Sequence, residues 1–179
     1  MDAALRQSER WYGNGLKTDA PRPDLYNGLN WLFLAALHPV PKEKATRIDF
    51  AQRCVATAND AFGKEASYWN AIGVPDALLA EALIDGSLVG ADGRERVERL
   101  AQRYDDARTG IQVKAKDFDS TVQQICLMAL FYCARAKPST KSSIAARTAA
   151  ALRLLAEHLS PGACAGVFGE SAANKPASQ

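Results

Sequence analysis

Apolar residues along this chain follow two patterns. Across 25–37, 77–84 and 122–134 they fall on almost every side of a helical wheel, and in the stretches between they recur along a single stripe. A helix apolar all round must be wrapped by other helices, whereas a striped one can face water. The alternation predicts a layered stack in which buried helices lie between half-exposed ones. No stretch shows sustained period-two alternation with β-branched residues, so no strand is predicted.

Seven helices are expected. The first, Ala3–Leu16, carries Leu5, Trp11, Tyr12 and Leu16, and Pro21 and Pro23 then force a break. Asp24 caps the second, Leu25–His38, which His38-Pro39-Val40-Pro41 ends. The third runs from about Lys42 to Phe62, with Ile48, Val55, Ala58 and Phe62 as its apolar stripe, Arg47, Asp49, Gln52, Arg53 and Asp60 off it, and Gly63 as C-cap. The fourth, Ser67–Asp85, is expected to kink at Gly73 and Pro75 and to close at Asp85-Gly86. The fifth, Arg94–Thr109, places Val97, Leu100, Ala101 and Tyr104 on one side and a solvated charge cluster on the other. The sixth, Asp119–Ala136, reads as the most buried, capped by Asp119 or Ser120. The seventh, Ser142–Leu159, has Ile144, Thr148, Leu152, Leu155 and Leu159 on one stripe, before Ser160-Pro161-Gly162. Short connections make sequential helices antiparallel neighbours. The expected fold is all-α, with antiparallel helix pairs stacked as a short solenoid of about seven helices. Residues 1–160 form its one domain, and 161–179, small and polar, a mobile tail.

The apolar helices begin near 25, 67 and 119, a spacing of roughly 40 to 50 residues that suits two-helix solenoid units. A faint internal match accompanies it: Arg6–Tyr12 and Leu100–Tyr104 each lead through a break into an apolar helix. Leu25-Tyr26-Asn27-Gly28-Leu29-Asn30, an alanine-rich helix, Tyr68-Trp69 with Asp76-Ala77 seven residues on, then Ala101, Tyr104 and Ala107 follow in order. This run, within Leu5–Leu130, resembles the tetratricopeptide-like (TPR-like) helical TRAF-binding region of stress-activated MAP-kinase kinase kinases and its bacterial relatives, which are often fused to signalling or defence modules. It departs from that pattern in carrying Gly73-Val74-Pro75 inside the fourth helix and Asp76 where glutamate is usual. The resemblance implies an α-solenoid that binds another protein and has no catalysis of its own.

The residues themselves support two uses. Asn27 and Asn30 begin a buried helix, and buried amides need partners, expected at a neighbouring helix terminus or loop backbone. Gly28 lets another helix approach. Tyr68 and Trp69 suit an inter-helix seam. The alternative is a peptide groove, and Trp11, Tyr12, Tyr26, Asn30, Tyr68 and Trp69 are the candidate partner-binding residues. The first helix has no upstream helix to cover its apolar face, so another protein or a second copy is the expected partner.

Composition excludes more than it suggests. The 179 residues carry a net charge of +2, with 47% hydrophobic and 23% charged, so nothing calls for nucleic acid or an anionic membrane. The longest apolar run, Leu29–Leu37, falls far short of the ~20 residues that span a bilayer. Met1-Asp2 begins a polar segment without a basic-then-apolar layout, so no secretory signal is expected. Cys54, Cys126, Cys133 and Cys164 include no C-x-x-C pair, and all four are expected to be reduced in a cytoplasmic protein. His38 and His158 stand at helix ends, where capping accounts for them. No Walker loop, H-E-x-x-H or G-x-S-x-G motif occurs, and no cofactor or metal is expected. Lys137–Lys141 with Arg147 is a modest basic patch that reads as solvated. The competing reading is a small α-helical enzyme or ligand-binding protein with a site between helices near Glu81 and Asp85, carboxylates one turn apart.

Overall fold

The computed structural model describes residues 2–14, 16–111, 113–136 and 143–165. It is all-helical: among the described residues there are seven α-helices and no strand. They fall into two compact units, residues 1–113 and 114–179.

The first unit holds α1 (Asp2–Gly13), α2 (Leu25–Leu37), α3 (Lys44–Lys64), α4 (Tyr68–Asp85) and α5 (Gly93–Thr109). Pairs along the seams give the directions. Lys44 Nζ donates to the Asp85 carbonyl, Gln52 to Glu81, and a Cβ on Gly73 would lie 3.0 Å from Ala58, so α3 and α4 run antiparallel. Likewise Arg47 meets Ala35 while Cys54 faces Gly28, so α2 and α3 are antiparallel. Gly28 eases that approach: a Cβ there would lie 3.0 Å from the Phe50 ring, which would have to shift to admit it. α2 therefore lies parallel beside α4, with Leu25 against Gly73.

Local signals set most ends. The Asp24 carboxylate accepts from the Asn27 N–H at 3.1 Å and starts α2, a cap worth ~1 kcal/mol. Ser67 does the same for α4. Gly86, at φ 81°, ends α4 in a left-handed conformation that favours glycine. Pro75 is buried inside α4, which passes through it as one helix. Gly63 does not end α3; the helix continues to Lys64 and Glu65 is its C-cap.

Burial corrects the stripe expected on α3. On α3 the buried positions are Arg47, Phe50, Ala51, Cys54 and Ala58, while Phe62 is 38% exposed. Only Ala58 belongs to the expected stripe, because a long charged residue was counted as outward-facing. On α5 the expected face is the observed one, with Gly93 added. No residue of 77–84 is exposed, and within 25–37 only Tyr26 is, at 70%.

The second unit holds α6 (Ala115–Arg135) packed along α7 (Ile144–Leu159). α6 starts four residues before Asp119, so neither Asp119 nor Ser120 caps it. It is one-faced rather than apolar all round: Phe118, Val122, Ile125, Met128 and Ala129 are buried, whereas Leu127 is 48% exposed. Ser143 caps α7 by accepting from the Ala146 N–H. After α7 the chain turns and Cys164 bonds Cys126, their Cα atoms 5.5 Å apart. This overturns the expectation of four reduced thiols and orders the start of the 161–179 tail; residues 166–179 lie outside the described residues. Cys54 does fill the core as a small apolar group, and burial pushes its thiol up to about 12. Among the described residues no helix is long and apolar enough to cross a membrane.

The disulfide closes a loop across a sequence separation of 38, which constrains the unfolded chain by about 3–4 kcal/mol. Cys164→Ser, or dithiothreitol, is expected to lower the stability of the second unit by about that amount in urea titrations. Alkylation in denaturant without reductant should label Cys54 and Cys133 alone.

Candidate functional site

Arg47 lies at the start of α3 with its side chain only 4% exposed. A guanidinium stripped of water needs an acceptor for nearly every N–H. One terminal nitrogen donates to the Ala35 carbonyl at 2.8 Å and the His38 carbonyl at 3.1 Å. These are carbonyls at the end of α2, where a cation also meets the negative end of the helix dipole. The other donates to Glu9 of α1 at 2.9 Å and to Glu43 at 2.8 Å. The cation stands 5.7 Å from the centre of the Trp31 ring. Arg53, on the same helix, donates to the carbonyls of Thr18 and Ala20 and so holds the α1–α2 linker. Sequence reasoning placed both arginines facing outward. The available signal for Arg47 was its place three residues before Phe50 and four after Glu43.

The aromatic candidates divide. Trp11 is 67% exposed, Tyr26 70% and Trp69 58%. Tyr12 touches both of its aromatic neighbours edge-on, Trp11 at 4.8 Å and Tyr26 at 6.4 Å. Burial, followed by the hydrogen bond and charge of Tyr26, raises the Tyr12 phenol above its ordinary range. Trp69 lies one turn before Gly73, which faces Leu25, so the beginnings of α2 and α4 share an end. Tyr68 is a correction: it is 6% exposed, a core residue that a partner does not reach. Asn30 is also spent locally, its amide donating to the Tyr26 carbonyl at 2.8 Å. Asn27 likewise bonds the Asp24 carboxylate rather than a neighbouring helix.

A second polar pair escaped the sequence. The Tyr104 hydroxyl, on wholly buried Tyr104 of α5, donates to Asp76 of α4 at 2.7 Å. Burial pushes the Asp76 carboxyl up to about 7, against the opposing pull of that hydrogen bond. Glu81 and Asp85 have structural partners: Glu81 accepts from Gln52 at 2.9 Å, and Asp85 accepts from the Ser87 N–H at 2.6 Å while its carbonyl holds Lys44. Among the described residues no group of three or more His, Cys, Asp or Glu is placed to hold a metal ion.

No family model, curated protein or solved structure matches this chain.

Replacing Arg47 by methionine strands Glu9 and the α2 carbonyls, so a loss of about 3–5 kcal/mol is expected in denaturant unfolding. Lysine should rescue little, since an ammonium cannot match the planar fork. The Asp76 carboxyl is raised from its ordinary value near 4 to about 7, so its ionisation opposes folding. Stability from this group is full below about pH 4, declines as pH rises through about 7, and is level above. Asp76→Asn should remove that slope from a pH series of melting temperatures.

Proposed function

We propose that the chain is a non-catalytic interaction module, with a TPR-like stacking of antiparallel helix pairs, whose first unit presents an aromatic surface to a protein partner or a second copy. The observation that carries this reading is the exposure of Trp11, Tyr26 and Trp69 around the beginnings of α2 and α4. Large aromatics left in water on a well-packed scaffold mark contact surfaces, where Trp and Tyr supply much of the binding energy. Supporting it, the carboxylates Glu81 and Asp85 are engaged in hydrogen bonds that shape the fold. The cytoplasmic setting expected from the sequence is disfavoured by the Cys126–Cys164 bond, since disulfides persist in oxidising compartments. The interaction reading does not depend on the compartment.

Trp11→Ala, Tyr26→Ala and Trp69→Ala combined should leave the helical content unchanged, since exposed positions each cost about 0.5 kcal/mol or less. The triple variant should weaken self-association, or capture of a purified partner, by more than about tenfold. Concentration-dependent sedimentation and affinity capture side by side read both forms. Identical behaviour of the variant and the parent in both assays would refute the proposal.

A further inference from the structure

Beside the aromatic surface, on another side of α1, lies a cleft of about 430 Å³. Its lining is rich in hydrogen-bond donors without acceptors. Arg6 and Arg10 stand one helical turn apart on α1, both exposed, and among the described residues neither has a carboxylate partner. The Asn14 amide and the Trp31 indole N–H line the same cleft and donate to nothing within the described chain. Arg47, more than nine-tenths buried, closes the floor of the cleft. The two carboxylates in the lining, Glu9 and Glu43, are both engaged by Arg47. They share that one guanidinium, so the three arginines and two carboxylates of the lining sum to a net charge of +1, with Arg6 and Arg10 the cations that have no carboxylate bonded to them.

From this we infer that the cleft between α1 and the α2–α3 junction binds an acidic segment of a partner protein, with Arg6 and Arg10 receiving its carboxylates. Guanidinium groups one turn apart on a helix meet successive carboxylates of an extended or helical acidic segment, and each guanidinium donates a two-pronged bond. The volume exceeds what a single small oxyanion fills. This deepens the interaction reading, on which it rests: Trp11 follows Arg10 directly, so one partner segment can bring acidic residues to the cleft and apolar ones to the aromatic surface.

The test uses fluorescein-labelled hexaglutamate and hexaglutamine with the full chain, read by anisotropy at low and at physiological salt. Hexaglutamate is expected to bind and hexaglutamine not to bind, with affinity falling as salt rises. Arg6→Gln with Arg10→Gln should weaken hexaglutamate by about tenfold or more, because two charge-assisted contacts are lost. Arg94→Gln with Arg103→Gln, which removes the same charge from α5, should leave binding unchanged. Three results would each overturn the inference: equal losses in both double variants, binding of hexaglutamine as tight as that of hexaglutamate, or displacement of hexaglutamate by an equal concentration of inorganic phosphate. Failure here alongside an effect of the aromatic substitutions removes the acidic specificity and leaves the interaction reading standing.

Discussion

The buried guanidinium of Arg47 sets the terms on which the first three helices meet. Taking a permanent cation out of water costs several kcal/mol, and acceptors in fixed directions around both terminal nitrogens offset it. Here the acceptors come from α1, from the end of α2 and from the residue just before α3. None of these can slide by a residue without stranding a charge. The arginine therefore fixes register as much as it adds stability. It also explains why α2 ends where it does, since its last carbonyls already have a donor supplied by another helix.

The same side chain shows where reading from sequence fails. Helical period alone chose Ile48, Val55, Ala58 and Phe62 for α3, whereas the buried face holds Arg47, Phe50, Ala51, Cys54 and Ala58. A stripe containing an arginine looks polar until its carboxylate and carbonyl partners are known, and those lie on other helices. Where a face contains no such residue, as on α5, the pattern and the packing coincide. The cap with local chemistry at Asp24 was legible for the same reason, whereas the Ser67 cap was not read from the sequence. On α6, Asp119 and Ser120 mimic a cap that the helix ignores, because Phe118 in its first turn is drawn into the core.

The surface was half legible. Adjacent residues on a helix point about 100° apart, so Tyr68 and Trp69 cannot both face the same way. The sequence marks the pair as important without saying which one is core. Trp11, on the uncovered face of the first helix, and Tyr26, in the run to Asn30, were singled out in the sequence, and both are exposed. The donors of the neighbouring cleft were not singled out, since arginines on an exposed helix read as ordinary solvation. Their meaning comes from Glu9, which faces them in sequence but is claimed by Arg47 in space.

The bond from Cys126 to Cys164 has a topological consequence. It turns the back half of α6, the connection and the whole of α7 into a covalent ring. A protease that cuts the backbone once within that ring opens it without detaching either piece. Two cuts, or one cut and a reductant, are needed before α7 can leave.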